Sequence, residues 1–177
     1  MSLIEPFMGV RPDRDLVEKV ASPPYDVLSS SEARTMVSGN PRSFLHVTKS
    51  EIDFPEGTDP HSDEVYRKSA RNFEDMCRNG VLKQDKTPCF YVYRLEMAGH
   101  IQTGIAAGVS VDEYERGLIK KHELTRRDKE DDRARHVEIL RANAGPVLLT
   151  YREKKEIGEI VTRIVRMDPV YDFRSED

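Results

Sequence analysis

The chain has 177 residues, of which 34% are charged, and its 28 Lys and Arg stand against 32 Asp and Glu for a formal net charge of −4. This balance argues against a general nucleic-acid coat protein and against a polybasic membrane binder. No apolar run approaches the ~18 residues that a membrane span needs, so we expect no membrane partner.

The two cysteines, Cys77 and Cys89, are too few for a disulfide scaffold. One falls in a helical pattern and the other at the head of a predicted strand, which favours buried free thiols in a reducing cytosol. The N-terminus has no basic stretch followed by an apolar one, as a secretory signal would have. We therefore expect a cytoplasmic protein.

The first half of the chain predicts short elements. In chain order they are a strand at 6–11, a short helix at 13–20, a non-helical turn with two prolines at 22–27, a helix capped within 29–31 and ended at Gly39, and a strand at 43–48.

The second half predicts longer elements. They are an amphipathic helix at 62–80 ended by Gly80, a hairpin at 88–111, a helix at 126–144 opened by a capping box from Thr125 to Asp128, a buried strand at 146–151, and an amphipathic helix at 153–166. The mixture predicts an α+β fold and a single domain over residues 1–177. We expect one mixed β-sheet that contains the central hairpin and the strand at 146–151, with the helices at 62–79 and 126–144 packed on it.

A run of cations precedes the helix at 126–144. Residues 116–127 hold five Arg or Lys and one acid, and four of the next five residues are acids. If Thr125 is the N-cap, Arg126 and Arg127 occupy the first turn, where cations oppose the helix dipole. Arginines beside free N–H groups favour an anion site. The alternative is a solvated helix with mixed ion pairs.

The same helix offers two further patterns. Arg126, Lys129, Arg133 and His136 follow 3-4-3 spacing, which predicts one shared face. Four acids could hold Mg²⁺ against a bound polyphosphate, or they could simply balance the arginines. These acids are Asp128, Glu130, Asp131 and Asp132.

Three other segments carry candidate chemistry. The rigid turn at 22–27 presents the Tyr25 phenol and the Asp26 carboxylate, which could be a general base if it is desolvated or could serve the turn alone. His46 at a predicted strand end is a binding residue or a structural one. His122 and Glu123, next to Lys121, form a denser group for which the functional and structural interpretations stay open.

Those segments together resemble the DUF1015 family. The similar stretches are Gly-Val-Arg-Pro at 9–12, Ala-Ser-Pro-Pro-Tyr-Asp-Val at 21–27, Asn-Pro-Arg-Ser-Phe-Leu-His-Val at 40–47 with Glu-Ile-Asp at 51–53, Ile-Lys-Lys-His-Glu-Leu-Thr at 119–125, Lys129, Arg133, and the Asn143, Pro146 and Tyr151 ending. The resemblance covers nearly the whole chain.

The resemblance implies a relation to ParB/sulfiredoxin-like kinases that phosphorylate free L-serine with pyrophosphate or a nucleotide as donor. It implies an incomplete form of that architecture here. If the donor is a polyphosphate, the acids of the helix at 126–144 would hold Mg²⁺ with it. Phosphoryl transfer needs a base at the attacking hydroxyl and cations around the moving phosphate. The base would be Asp26, His122 or Glu123. The substrate-binding residues would be Tyr25, His46, Lys121, Arg126, Arg127, Lys129, Arg133 and His136.

One departure limits this expectation. Members of the family carry a downstream Asp-Gly-His-His-Arg motif, and no His-His or His-Arg pair occurs in this chain. We therefore expect the N-terminal portion of a longer protein, inactive alone. The alternative is a non-catalytic ParB-like regulatory or nucleic-acid-binding module, against which the acidic net charge argues. A homodimer stays open.

Overall fold

The computed structural model describes residues 3–122 and 124–175, and it confirms the α+β class. The helices of the described residues are α1 (Val17–Val20), α2 (Ser30–Met36), α3 (Leu45–Thr48), α4 (Asp63–Arg78), α5 (Val111–Glu115), α6 (Arg127–Leu140) and α7 (Lys155–Val165). The strands are β1 (Ile4–Glu5), β2 (Val10–Pro12), β3 (Leu82–Gln84), β4 (Tyr91–Met97), β5 (His100–Ala106) and β6 (Gly108–Val109). Short 3-10 helices cover Arg14–Leu16, Tyr25–Val27 and Ser50–Asp53. Within these ranges no helix has both the length and the apolar character that a bilayer crossing demands.

The chain forms two compact units, each built from separated stretches of sequence. The first comprises the described residues of Met1–Val10, Gln84–Leu124 and Pro146–Val170. The second comprises those of Arg11–Lys83, Thr125–Gly145 and Tyr171–Asp177. The single domain over residues 1–177 stays a prediction, because two compact units can belong to one domain.

The second unit contains every fully buried apolar side chain of the described residues. Its main cluster consists of Val20, Val47, Met76, Val81, Leu82 and Leu140, and a smaller cluster consists of Ala33, Leu45 and Ile52. Leu45 and Val47 are both 0% exposed. Because α3 supplies a residue to each cluster and α4 packs on both α3 and α6, this helical group forms the hydrophobic core.

Helix α4 confirms the predicted helix at 62–80 and its end. Acids occupy its first turn, where they favour the helix dipole. Gly80 has φ +72°, and the Val81 N–H donates to the Met76 carbonyl at 2.9 Å, as in a glycine-ended helix. The prediction of buried thiols is wrong for Cys77, which is exposed because its neighbour Met76 takes the inward position. Cys89 is half-buried.

The strand predicted at 43–48 is wrong, because most of it forms α3. The Ser43 hydroxyl accepts a hydrogen bond from the Leu45 N–H at 3.3 Å, which starts the turn. The Lys49 N–H then donates to the Leu45 carbonyl at 2.8 Å. A short apolar run does not distinguish a buried strand from a buried helical turn, so the periodicity could not decide.

The first unit contains the predicted hairpin, which is confirmed with narrower limits. β4 and β5 pair antiparallel from Tyr91 opposite Ala106 to Met97 opposite His100. Ala98 and Gly99 form the connection with φ of 50° and 77°. Two successive positive φ values match the twist that a two-residue hairpin needs.

The prediction of one mixed sheet that contains both the hairpin and a strand at 146–151 is wrong. The strands of the described residues form three separate two-stranded sheets, β1 with β6, β2 with β3 and β4 with β5. Residues 146–151 are not a strand, and Val147 is 81% exposed. An apolar run without a partner strand cannot satisfy its backbone groups in a sheet, and sequence alone does not show whether a partner exists.

The packing of the helices also differs from the prediction. α4 and α6 pack on each other in the second unit, whereas α7 contacts β4 in the first. The apolar stripe expected on α7 is only partly covered. Ile157 and Val161 are half-buried, while Ile160 remains 52% exposed and Ile164 40% exposed.

Candidate functional site

The predicted cap of α6 is replaced by a different arrangement. The helix begins at Arg127, and Arg126 is the N-cap residue in extended conformation. The capping box from Thr125 is therefore wrong, and so is the assignment of Arg126 to the first helical turn. The Arg126 guanidinium donates instead to the Asp128 carboxylate, from Nε at 3.1 Å and from Nη2 at 2.7 Å.

This arginine–aspartate pair is exposed on both sides. The hydrogen bond from Arg126 holds the pKa of Asp128 below its usual value. Arg127 and Lys129 are also exposed at the start of α6. The cation run thus lies at an accessible helix start, and its role in binding anions stays a prediction.

The predicted shared face of α6 is only partly right. Arg126 precedes the helix, so it does not continue the face. Lys129 is exposed, Arg133 is half-buried, and His136 is 5% exposed. Burial increases along α6 from Lys129 to His136, and Leu140, one turn further on, belongs to the main cluster of the core.

Arg133 lies on the ring of Tyr25. The guanidinium carbon is 4.0 Å from the ring centroid, a close cation–π contact. The two prolines before Tyr25 keep the chain out of an α-helix, and a single 3-10 turn over Tyr25–Val27 presents the ring to α6. The neighbouring Asp26 is exposed. The structure therefore brings together two segments that the sequence predicts to carry function.

Asp132 fixes Arg133 from the other side. Its Oδ2 accepts hydrogen bonds from Arg133 Nε at 3.1 Å and Nη2 at 2.8 Å. Its Oδ1 accepts from the Tyr66 hydroxyl at 2.5 Å and contacts His61 Nδ1 at 3.0 Å. The Asp132 side chain is only 12% exposed, so this carboxylate is the centre of a polar network between α4 and α6.

The network determines the protonation of its members. Burial of Asp132 opposes its ionisation, but the hydrogen bonds from Tyr66 and Arg133 outweigh burial and lower the carboxyl pKa. Burial and the hydrogen bond to Asp132 together raise the pKa of the Tyr66 phenol. Asp132 is therefore ionised, and Tyr66 is its neutral donor.

His136 lies deeper on the same helix. Its Nε2 is 2.9 Å from the Ser69 hydroxyl and 3.2 Å from the Val47 carbonyl oxygen. Ser69 donates to the same carbonyl at 2.6 Å, so Nε2 carries the proton that Ser69 accepts. Burial, followed by the nearby charge of Arg133, lowers the pKa of His136. The ring is neutral and joins α6 to α4 and α3.

His46 pairs with Asp53, and in contrast to His136 its surroundings favour the charged ring. Its Nδ1 is 2.7 Å from Asp53 Oδ1, and its Nε2 is 3.3 Å from the Asn40 carbonyl oxygen. Both partners accept, so the doubly protonated ring is satisfied at both nitrogens. The hydrogen bond to Asp53 is the main reason that the pKa of His46 is raised. Asn72 and Lys68 contact the other carboxylate oxygen of Asp53.

His46 and His136 should make the stability of the fold depend on pH in opposite directions. The raised pKa of His46 stabilises the fold below the unfolded pKa of ~6.5, and this contribution is lost as pH rises through the folded pKa. The lowered pKa of His136 leaves stability intact above ~6.5 and reduces it as pH falls towards the folded pKa. His46→Gln should therefore lower the free energy of unfolding more at about pH 5.5 than at about pH 8. His136→Gln should lower it less at about pH 5.5 than at about pH 8.

Urea denaturation of both variants and the parent at the two pH values measures these differences. Each variant serves as the other's control, because both replace a histidine of the second unit. Equal costs at both pH values for either variant would contradict the assigned protonation.

The remaining candidates belong to the first unit. The Lys121 ammonium is 5.0 Å from the centroid of the Tyr114 ring, and His122 is exposed. Glu123, the third candidate base, lies outside the described residues. Their participation in binding or catalysis stays a prediction.

The acids of α6 remain separate side chains in the described part of the structure, and their binding of Mg²⁺ stays a prediction. No three His, Cys, Asp or Glu side chains among residues 3–122 and 124–175 are arranged to hold a metal ion. Asp128 is engaged by Arg126, and Asp132 by Tyr66, His61 and Arg133. Glu130 and Asp131 are exposed, and Mg²⁺ often uses only one or two carboxylates together with substrate oxygens.

Several residues of this network were not predicted from the sequence. Tyr66 and Ser69 lie three residues apart on α4, and both are buried among its apolar positions. A polar pair on the apolar face of an amphipathic helix was the available signal, because buried polar groups require partners. His61, in the loop before α4, carried no pattern that distinguishes it from a surface histidine.

Comparison with known proteins identifies the family. No curated protein and no solved structure matches the chain significantly. Residues 4–177 match the family model described as "Protein of unknown function (DUF1015)". Since this match covers nearly the whole chain, the protein belongs to the DUF1015 family.

Proposed function

We propose that this chain forms part of a small-molecule kinase that transfers a phosphoryl group from pyrophosphate or a nucleotide to the hydroxyl of free L-serine. The observation that carries the proposal is the contact of Tyr25 with Arg133, at 4.0 Å from the guanidinium carbon to the ring centroid. The contact joins the Pro-Pro-Tyr-Asp turn to α6, and both segments belong to the stretches that resemble the family. The relation to ParB/sulfiredoxin-like kinases is part of this proposal and rests on that resemblance.

Arg133 is the cation best suited to hold a phosphate. A guanidinium has five N–H donors, and Asp132 engages only Nε and Nη2. A phosphate oxygen can therefore bind Arg133 without displacing Asp132. Because the carboxylate and the Tyr25 ring already fix the guanidinium, little of its side-chain entropy remains to be lost on binding.

Arg126, Arg127 and Lys129 supply further positive charge at the exposed start of α6. Charge that develops on a transferring phosphoryl group is stabilised by such positioned cations. We propose that these three residues stabilise the phosphoryl charge from the solvent side, and that Arg133 orients the phosphate.

Asp26 is the base that this arrangement favours. It follows Tyr25 in the same turn, so a substrate bound against Arg133 lies near its carboxylate. The side chain is exposed, and it would act as a base only once the bound substrate excludes water from it. His122 and Glu123 of the first unit are the alternatives.

Calorimetric titration with pyrophosphate, L-serine, ADP and duplex DNA tests the proposal. We expect pyrophosphate and L-serine to bind, and Arg133→Ala to weaken pyrophosphate binding by about 1.5–3 kcal/mol, the worth of hydrogen bonds to a charged group. Arg133→Lys keeps the positive charge but loses the planar set of guanidinium N–H donors. Its affinity for pyrophosphate should therefore lie between those of Arg133→Ala and the parent.

Arg152→Ala is the matched control, because Arg152 is exposed and belongs to the first unit. Thermal melts of all variants separate loss of binding from loss of folding. Pyrophosphate affinity that is equal in Arg133→Ala and the parent would contradict the assigned site. Binding of duplex DNA without anion binding would favour the regulatory module instead.

A further inference from the structure

The outer part of the β4–β5 hairpin is exposed throughout. Every residue from Tyr93 to Gly104 is exposed. Alternate residues of a strand point to the same face, so Tyr93, Leu95 and Met97 form one apolar row. They are 62%, 50% and 80% exposed. At least half of the surface of each of these three residues is therefore open to solvent.

The unit that contains the hairpin has a weak core of its own. None of its described apolar side chains is fully buried, whereas the second unit buries eleven. A two-stranded hairpin is marginally stable in water unless further strands or a helix cover it. α7 contacts β4, but the exposure from Tyr93 onward shows that the outer part remains open.

The β4 strand also presents an edge without proline, lysine or a bulge. Among the described residues no second strand lies beside its stretch from Tyr93 to Met97, so this part of its other edge is open to a further strand. Natural edge strands are usually blocked by charged side chains, above all lysine, by proline or by a bulge, and the two charges of β4, Arg94 and Glu96, are opposite in sign. Tyr91–Met97 contains no proline and no lysine, and its register with β5 runs without interruption. Such an edge is suited to pair with another strand.

We propose that β4 pairs antiparallel with β4 of a second copy of this chain, about a two-fold axis through Leu95, to form a four-stranded sheet. In this register Arg94 lies opposite Glu96 of the other copy, and the symmetry makes the ion pair twice. Leu95 lies opposite Leu95, and Tyr93 lies opposite Met97. Opposite charges and apolar pairs directly across antiparallel strands are stabilising, and self-complementarity is what a two-fold interface requires.

The edge of β5 is a poorer candidate for the same pairing. A two-fold axis through Thr103 would place Gln102 opposite Gly104 and would make no charged pair. Glycine supplies no side chain to pack and weakens a strand. Charge complementarity therefore selects β4 and a second copy of the chain as its occupant.

A charge-exchange experiment tests the register. Sedimentation of the full chain should give twice the monomer mass, with a dissociation constant that Arg94→Glu or Glu96→Arg raises about tenfold or more, because each change makes two like-charged pairs. The double variant Arg94→Glu with Glu96→Arg reverses both pairs and should restore the parent constant. Within the hairpin these residues lie opposite Thr103 and Ile101, so the single changes introduce no repulsion there.

Disulfide trapping provides a second measurement. In a chain with Cys77 and Cys89 replaced by alanine, Leu95→Cys should crosslink two copies under mild oxidation, because the two side chains meet at the axis. Gln102→Cys is the control, since it lies opposite Leu95 on the neighbouring strand but away from the axis. Circular dichroism confirms that each variant folds. A monomer at every concentration, a folded double variant that stays monomeric, or equal crosslinking of both cysteine variants would overturn the proposal.

Discussion

Leu45→Ala should lower the free energy of unfolding of the second unit by about 2–5 kcal/mol, the usual cost of removing a buried leucine side chain. Leu45 is 0% exposed and packs with Ala33 and Ile52, with Leu28 and Val37 at the edge of the cluster. α3, α2 and the 3-10 helix Ser50–Asp53 enclose the side chain, so the cavity can collapse only by moving these elements. The upper half of the range is therefore expected.

Urea denaturation followed by circular dichroism gives the measurement, provided that the slope of the transition is unchanged. Leu148→Ala is the matched control, because Leu148 is 78% exposed and surface substitutions usually change stability by less than ~0.5 kcal/mol. A cost below about 1 kcal/mol for Leu45→Ala would show that α3 is not part of the core.

The same residue shows where sequence reasoning about the fold succeeded and failed. The run from Ser43 to Thr48 is apolar and short, and only tertiary packing decides that it forms a helical turn at the centre of the core. Elements with local signals were predicted well. Ser29 forms a capping box with Glu32, Asp13 opens the helix after it, and Gly80 ends α4.

Non-local features were predicted less well. The hairpin was predicted because its turn is local, whereas the strand expected at 146–151 depended on a partner strand, which the described residues do not place beside it. The end of α6 illustrates the same limit. The helix stops at Leu140, four residues before its predicted end at residue 144, because Arg141 adopts φ 56°.

The candidate site was predicted as a set of segments rather than as a geometry. Tyr25 and Arg133 were both selected, and the structure brings them into contact. Asp132 was considered as a metal ligand, but it accepts hydrogen bonds that orient its neighbours. Residues distant in sequence, such as Tyr66 and Asp132, become partners only through the packing of α4 on α6, which no spacing along the chain encodes.

Asp132→Asn should destabilise the protein by about 1–3 kcal/mol at neutral pH, because buried donors lose a charged acceptor. The Tyr66 residue is 4% exposed, and its hydroxyl has little access to water as a substitute partner. Asparagine keeps the shape and one acceptor oxygen, so the loss reports the charge and the second oxygen rather than a cavity. Asp132→Ala should cost more, since it removes both acceptors.

The pH dependence of this cost distinguishes an ionised network from simple packing. Because the pKa of Asp132 is lowered in the folded protein, its stabilising contribution is present above the unfolded value of ~3.9 and is lost as pH falls through the folded pKa. The difference in unfolding free energy between Asp132→Asn and the parent should therefore shrink in acid.

Asp131→Asn is the matched control, because Asp131 is the exposed neighbour of Asp132 on the same helix. Its substitution should change stability by less than ~0.5 kcal/mol at any pH. Equal effects of the two substitutions, or a cost of Asp132→Asn that persists in acid, would mean that the carboxylate does not hold Arg133 and Tyr66. In that case Arg133 would depend on Tyr25 alone for its orientation, and the proposal that the guanidinium is held ready for a phosphate would lose the support of Asp132.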